Sequence, residues 1–326
     1  MLRWAILGTG FISNTVVDAI ALSNDSRVDV VAGRDAGRVA AFAVAHGISR
    51  HCVSYDEAIN DPDIDAVYIG TPNHEHHRLA IAAAAAGKAV LSEKALTTTM
   101  DSAHELADAV RDRIFFVEGL MYLSHPLHAR FVEVLSDDRI GTITAVHGRY
   151  AANIAHLVNP LGRGTIYNIG CYPASLLHLT IQTAFGDKAF AKRTMTGAGT
   201  LTPDGTVGSA TASIKFANGV LASLSSTDDY GMTHSFSVLT TVGELRFNTN
   251  PWLPLAGANL LTWAPYDGEP ETIEVLSEHD AFFHQTKLVE RCVAAGQTEA
   301  DRPSPRLADS LEIMELLTTW EALCLT

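Results

Sequence analysis

Over the first 120 residues, short apolar runs alternate with stretches of helical spacing, and few architectures accommodate that pattern. Trp4–Leu7 ends at Gly8, and Phe11–Leu22 follows with apolar residues at helical intervals. Val28–Ala32 is followed by Val39–Ala45, and Ala66–Gly70 runs through Thr71-Pro72 into the alanine-rich Leu79–Ala86. Ala89–Leu91 leads to Glu93-Lys94, then Asp101–Val110 and Ile114–Val117. The short runs are apolar at nearly every position, as in strands covered on both faces. Strand and helix in repeated succession predict βαβ units and a parallel sheet.

Beyond residue 120 the pattern changes. His125-Pro126 precedes a helical stretch, Leu127–Leu135, and Pro173–Thr183 reads as a second helix. Strand-like stretches follow at Ala210–Phe216, Val220–Ser225, Phe236–Thr241 and Glu244–Phe247, separated by turns such as Ala217-Asn218-Gly219 and Val242-Gly243. Strands adjacent in sequence predict a mostly antiparallel sheet, closed by helices at Phe282–Ala295 and Leu307–Leu323. The fold class is α/β. An N-terminal Rossmann domain with a parallel sheet is expected over residues 1–120. A C-terminal α+β domain with a mostly antiparallel open sheet, for substrate and oligomerisation, is expected over 121–326.

Composition narrows the function. Hydrophobic residues make up 47% of the 326, enough apolar surface to exclude a disordered chain. The net charge of −14 argues against a nucleic-acid partner held by a broad basic face. Residues 267–326 carry 4 basic and 13 acidic residues, so most of that charge lies away from the glycine turn at residue 8. The longest charge-free runs, Gly164–Gly186 and Phe247–Tyr266, are too broken by polar residues and proline to span a membrane. Cys52, Cys171, Cys292 and Cys324 form no close pair, and no signal peptide opens the chain. A reduced, cytoplasmic protein is expected. His74, His76 and His77 lack further ligands at metal-binding spacing, so no metal is expected.

Gly8-Thr9-Gly10-Phe11-Ile12-Ser13 stands at the first strand-to-helix turn. There the first glycine makes the tight turn and the second admits a pyrophosphate to the helix N-terminus. Gly8, Gly10, Phe11 and Ile12 are therefore candidate cofactor contacts. The second strand ends at Gly33-Arg34, where an acidic residue would bind the ribose hydroxyls of NAD and an arginine would accommodate the 2′-phosphate of NADP. Arg34, with Arg38 one helical turn later, points to NADP(H), with NAD(H) the second choice.

Thr71-Pro72-Asn73 with His76, then Ala86-Gly87-Lys88 and Glu93-Lys94, resembles a signature of the Gfo/Idh/MocA oxidoreductases. Asn168-Ile169-Gly170-Cys171-Tyr172-Pro173 resembles a second segment of that family. Its tyrosine is typical of the branch with dimeric dihydrodiol dehydrogenase and NADP-dependent xylose dehydrogenase. Gly119-Leu120-Met121-Tyr122 with His125-Pro126 resembles the family segment that joins the two domains. The resemblance implies hydride transfer between a nicotinamide and a carbon bearing a hydroxyl or carbonyl, on a sugar, polyol or dihydrodiol. It assigns Lys94 and Tyr172 to proton handling and Asn168 to the substrate. Thr71, Pro72, Asn73, His76, Glu93 and Lys94 go to the cofactor, and a homodimer or homotetramer forms through the C-terminal sheet. Tyr172 and Lys94 suit the chemistry, because a lysine ammonium near a tyrosine lowers its pKa toward neutrality.

Three positions depart from the family pattern. Ala95 replaces a proline, and since a cis non-proline bond costs about 2.5–4 kcal/mol, a trans bond is expected after Lys94. Asn168 stands where the family has Asp and cannot exchange a proton. Leu123 stands where an arginine is frequent. These departures motivate a rival reading, a catalytically impaired NADP(H)-binding sensor. Further substrate candidates are Tyr122, for stacking on a ring, and Arg163, for a polar substituent. His125, His178 and Trp252 read as core.

Overall fold

A computed structural model of the chain describes residues 1–157 and 159–326. The chain forms two compact units, one of Met1–Met121 with Ala281–Leu311, the other of Tyr122–Asp280 with Glu312–Thr326.

In the first unit the elements run β1 (Leu2–Leu7), α1 (Phe11–Ala21), β2 (Ser26–Ala32), α2 (Ala36–Ala45), β3 (Arg50–Cys52), α3 (Tyr55–Asn60), β4 (Ala66–Ile69), α4 (Asn73–Ala85), β5 (Ala89–Glu93), α5 (Met100–Val110) and β6 (Phe116–Gly119). The six strands form one parallel sheet in the order β3-β2-β1-β4-β5-β6. Trp4, Ala5, Ile6 and Leu7 have no exposed surface, which explains why β1 is apolar at every position rather than at alternate ones. Strands are added outward from β1 in opposite directions, β2 and β3 on one side and β4, β5 and β6 on the other. The crevice outside the carboxyl ends of β1 and β4 is thus a topological switch point, where such folds bind ligands.

In the second unit the order is α6 (Pro126–Leu135), β7 (Ile143–Ala152), α7 (Cys171–Phe185), β8 (Arg193–Leu201), β9 (Val207–Phe216), β10 (Leu221–Thr227), β11 (Met232–Thr240), β12 (Gly243–Phe247), β13 (Gly257–Pro265) and β14 (Glu271–Ser277). The sheet order is β14-β13-β12-β11-β7-β10-β9-β8, antiparallel except for β7 against β10. One face packs under α7, where Pro173 crosses Gly148 so closely that a Cβ on the glycine would stand 2.9 Å away. The other face is open: Thr211, Ser213, Lys215, Leu221, Ser223, His147 and Arg149 lie along paired strands with their side chains turned from that core.

Helices α8 (Ala281–Ala294) and α9 (Leu307–Cys324) close the chain. Leu288, Val289 and Cys292 of α8 join the core of the first unit beneath β1 and α1, although the sequence reading placed all of residues 121–326 in one domain. The far half of α9 serves the second unit, where Trp320 Nε1 donates to the carbonyl of Thr211 at 3.1 Å. Six elements, β3, α3, β7, β8, β13 and β14, were not among those read from the sequence. The Lys94–Ala95 peptide bond is cis, against the trans bond expected of a non-proline residue. Among the described residues no helix is long and apolar enough to cross a membrane.

Candidate active site

The sequence-predicted residues of the first unit gather along one edge of its sheet. Gly8 follows β1, Arg34 lies just beyond β2, Thr71 and Pro72 lie just beyond β4, Glu93 ends β5 and Lys94 follows it. Parallel strands bring their carboxyl ends to the same side, so positions up to 86 residues apart in the chain become neighbours in one row.

The glycine turn is fixed by sterics. Gly8 has φ +106°, and a Cβ there would lie 2.6 Å from the carbonyl oxygen of Gly70. Ser13, the small residue in the third position of the turn, is fully buried, and a Cβ on Gly70 would lie 2.5 Å from its hydroxyl. Gly10 is different: a Cβ there would meet only the Gly70 oxygen, at 3.9 Å. It caps α1 with no side-chain hydrogen bond, whereas Asp35, Ser54 and Thr99 accept from the first turns of α2, α3 and α5. The first turn of α1 also carries no acidic residue. Its N–H groups and positive dipole end are therefore open to an anion. Thr71, also at this edge, has a buried hydroxyl oxygen with no hydrogen-bond partner among the described residues. These features fit a dinucleotide, with Gly8 and Gly10 beside the pyrophosphate. Phe11 is exposed and Ile12 half-buried.

Arg34 and Arg38 are both exposed at the end of β2 and the start of α2. Asp35 between them is engaged, since its Oδ1 accepts from the Arg38 amide at 2.8 Å and caps α2.

His76 has no exposed surface. Its Nδ1 lies 3.0 Å from the carbonyl oxygen of Ala95 and its Nε2 lies 2.8 Å from that of Thr71, so the ring ties the loop after β4 to the turn that carries Lys94. Burial pushes its pKa down to about 4, against the pull of those carbonyls. His76 is therefore a neutral strut at physiological pH, with one N–H to donate. Pro72 caps α4, whose first residue is Asn73. Glu93 is buried and accepts from the Tyr68 hydroxyl at 3.0 Å; burial raises its pKa while Lys94 opposes the rise. His74 and His77 face Glu75 and Glu105, and among the described residues no group of three or more His, Cys, Asp or Glu is placed to hold a metal ion.

Glu118 at the end of β6 was missed by sequence reasoning. It pairs in register with Ser92, is 2% exposed, and has its pKa raised to about 7 by burial, with the neighbouring Glu93 adding to the rise. Nothing in the local sequence distinguishes it from a surface glutamate.

In the second unit, Asn168 lies in a π-helical turn, Ile166–Gly170, and Tyr172 lies in the first turn of α7. The Tyr172 ring packs against Tyr150, Tyr122 and Trp252, with centroids 5.4, 5.7 and 6.2 Å away. Tyr122 is fully buried, with its hydroxyl 2.7 Å from Ser175 Oγ and donating to the Tyr172 carbonyl at 3.2 Å. It props up α7 beneath Tyr172, a geometry that leaves no open ring face for stacking. Arg163 has φ +67° and binds Glu321 through two nitrogens, at 2.7 and 3.0 Å. Its charge is committed within its own unit. Asn168 Nδ2 donates to Asp228 Oδ2 at 3.2 Å, another partner the sequence did not suggest. Of the histidines read as core, His125 Nδ1 caps α6 by accepting from Leu127, and His178 pairs with Glu312 at 2.8 Å.

Comparison with known proteins adds the chemistry. Residues 2–117 match the oxidoreductase family with the NAD-binding Rossmann fold, and residues 128–246 match the GFO/IDH/MocA C-terminal domain. Over a stretch covering 59% of each chain, the protein is 34% identical to an uncharacterized oxidoreductase of Rhizobium meliloti. It is 26% identical to a trans-1,2-dihydrobenzene-1,2-diol dehydrogenase of Xenopus laevis, covering 97% of this chain and 96% of that one. It is 28% identical to D-xylose 1-dehydrogenase (NADP(+)) 2 of Haloferax volcanii, covering 99% and 96%. Among solved structures, a 3-ketoreductase from Actinomadura kijaniata in complex with NADP shares the fold, with a TM-score of 0.84 at 23% identity, over 99% of this chain and 97% of that one.

Proposed function

We propose, from the premise that this chain belongs to the Gfo/Idh/MocA oxidoreductases, that it transfers a hydride between NADP(H) and a hydroxyl or carbonyl carbon of a sugar, polyol or dihydrodiol. One observation carries the cofactor half: the uncapped N-terminus of α1, opened by Gly10 at the switch point, with Arg34 and Arg38 exposed at the end of the next strand. The dihydrodiol and xylose dehydrogenases among the relatives support the substrate class, and the xylose enzyme's name supports NADP.

The nicotinamide, when bound, supplies or accepts the hydride. The protein's part is to hold the dinucleotide, exclude water and manage the proton. Gly8 and Gly10 let the pyrophosphate reach backbone N–H groups, and Arg34 and Arg38 take the 2′-phosphate. Thr71, Pro72, Asn73 and Glu93 shape the nicotinamide end, and His76 fixes that loop against Ala95. In the oxidative direction Tyr172, as its phenolate, takes the hydroxyl proton and becomes the neutral phenol, and the Lys94 charge stabilises the developing alkoxide. In the reductive direction the same phenol returns the proton. Asn168 holds a substrate hydroxyl. The sensor reading is not favoured, because the curated relatives that span the full chain are named dehydrogenases.

The substrate is found with a panel of pentoses, hexoses, polyols and trans-dihydrodiols, followed by NADPH fluorescence. Tyr172→Phe and Lys94→Ala then test the proton assignment; undiminished turnover in both sinks it. The open face of the second sheet, with His147, Ser213 and Ser223 in register across three strands, is the surface we assign to a homodimer or homotetramer. Analytical ultracentrifugation checks it, a monomer being the contrary result.

A further inference from the structure

We propose that Asn14 and His46 are positioning residues for the dinucleotide: His46, at the end of α2, orients the Asn14 amide, and that amide fixes the Gly10 carbonyl and with it the peptide that opens α1 toward the pyrophosphate. The proposal rests on the reading of the α1 N-terminus as the pyrophosphate site, and it names the side chains that set the aim of its first N–H.

Gly10, Asn14 and Asp18 are spaced four residues apart and so share one side of α1. Asn14 Nδ2 donates to the Gly10 carbonyl at 3.0 Å and reaches the Phe11 carbonyl at 3.4 Å. Its Oδ1 lies 2.8 Å from His46 Nε2. Across the ring, His46 Nδ1 lies 3.3 Å from Oδ1 of Asp18, a residue exposed to solvent. A row of contacts thus runs from the far end of α2 to the glycine turn.

The backbone makes His46 a fixed point. It is the C-cap of α2, and Gly47 after it takes φ +65°. The Gly47 amide donates to Val44 at 3.3 Å and the Ile48 amide to Ala43 at 2.9 Å, the two bonds of a Schellman turn. The imidazole packs on Phe42 with ring centroids 4.5 Å apart, and Phe42 belongs to the core of the first unit.

The chemistry sets the direction of each bond. Main-chain carbonyls only accept, so the Asn14 NH2 turns to Gly10 and its Oδ1 to His46. That oxygen also only accepts, so His46 Nε2 carries a proton and donates it. The two ends of a carboxamide are nearly equal in shape, and these two partners together exclude the flipped arrangement. The Gly10 carbonyl and the Phe11 N–H belong to one planar trans peptide and point opposite ways. A donor on the oxygen therefore sets the plane and polarises the N–H at its other end. The Phe11 ring is 86% exposed, so side-chain packing does not hold that peptide.

The test measures binding to the cofactor-free protein, of NADPH by fluorescence and of adenosine 2′-phosphate by calorimetry, with urea unfolding in parallel. Adenosine 2′-phosphate carries the 2′-phosphate and no pyrophosphate. Asn14→Ala places a strong helix former at its position and so keeps the fold. It is expected to weaken NADPH binding about fivefold, the worth of one hydrogen bond, and to leave adenosine 2′-phosphate within about twofold of wild type. His46→Leu is expected to do the same. His46→Gln still offers an N–H to Asn14 and is expected to restore NADPH binding. The double variant, Asn14→Ala with His46→Leu, is expected to bind no worse than Asn14→Ala alone, because His46 acts through Asn14. Equal losses for the two nucleotides, additive losses in the double variant, or the same loss in His46→Gln as in His46→Leu would each overturn the proposal. If Gly10→Ala weakens NADPH binding and Asn14→Ala does not, the positioning role is wrong and the pyrophosphate site stands. If the wild type does not bind NADPH, or Gly10→Ala binds it undiminished, the parent reading falls and this inference falls with it.

Discussion

Gly8 and Gly70 meet backbone to backbone: a Cβ on Gly8 would stand 2.6 Å from the Gly70 carbonyl oxygen, inside any normal contact. The two glycines directly follow neighbouring strands at the place where the sheet order reverses, so the closeness that forbids a side chain also forms the floor of the crevice we assign to the dinucleotide. Gly10, two residues on, has room for a methyl group. Gly8 and Gly10 therefore make a matched pair of tests. Gly8→Ala must adopt φ near +106° and displace backbone, and it is expected to cost about 2–3 kcal/mol of stability. Gly10→Ala is expected to cost less than about 1 kcal/mol but to weaken NADPH binding at least tenfold, because its methyl group stands where the pyrophosphate approaches. Urea unfolding and NADPH titration of both variants separate fold from site. Equal losses of stability would contradict the distinction.

His76 braces the loop before Lys94, and its role is mechanical. The neutral ring has one N–H for two carbonyl oxygens, those of Thr71 and Ala95. His76→Phe fills the space and donates to neither. It is expected to destabilise the first unit by about 1–3 kcal/mol, the cost of a buried carbonyl left unpaired. Activity should fall through a lower kcat, with no ionisation removed from the pH–rate profile between pH 6 and 9. Loss of an ionisation in that range would make His76 a proton carrier instead.

Burial shifts two kinds of group in opposite directions, and their effects on stability overlap in pH. His76 and His128 have folded pKa values pushed down to about 4 and about 3. Groups with depressed folded pKa contribute stability that is present above the unfolded value and is lost as pH falls toward the folded one. Their loss thus runs from about pH 6.5 down to about pH 3. Glu118 is raised to about 7, so its contribution is fully present below the unfolded value near pH 4.5 and is lost as pH rises through 7. Glu118→Gln removes the second effect alone. Relative to wild type, this variant should gain stability between pH 5 and 8, by an amount on the order of 3 kcal/mol at pH 8. Denaturant midpoints measured across that range check the slope, and parallel curves for the two proteins would rule out a shifted Glu118.

Five of the six strands of the first unit were legible because burial in the sheet keeps them apolar, as the complete burial of Trp4 through Leu7 shows, whereas the short, partly exposed edge strand β3, Arg50–Cys52, carries no such run. The central strand of the second sheet was not legible. Thr144, His147 and Arg149 of β7 are exposed, and Gly148 is the thin spot over which Pro173 crosses, so the run lacks the apolar pattern of a buried strand. The glycine turn was legible for a related reason: glycines at a strand-to-helix turn carry their steric meaning locally. Tyr122 was read as a ring for stacking because sequence shows an aromatic side chain but not its burial against Ser175. Arg163 was read as free to meet substrate because Glu321, its partner, lies 158 residues away. Glu118 and Asp228 escaped altogether, since a buried carboxyl and a solvated one have the same letter.

The choice between the two nicotinamide cofactors turns on residues 34 to 38. Asp35 would compete with Arg34 if its carboxylate were available for ribose hydroxyls, and a sequence alone leaves that competition open. In the structure the carboxylate caps α2 by accepting from the Arg38 amide at 2.8 Å, so it has a structural task of its own. Arg34 and Arg38 remain exposed at the strand end, where a 2′-phosphate would add close to two negative charges. Arg34→Ala should therefore weaken NADPH binding by about 10- to 100-fold, the value of one charge-assisted hydrogen bond, and change NADH binding less than about threefold. Asp35→Ala is the control. It is expected to cost about 1 kcal/mol of stability through loss of the cap while leaving the NADPH-to-NADH ratio near the wild-type value. Fluorescence titrations of both nucleotides against both variants decide the matter. A preference that survives Arg34→Ala but shifts with Asp35→Ala would mean that the carboxylate reads the ribose, and that the arginines are merely solvated.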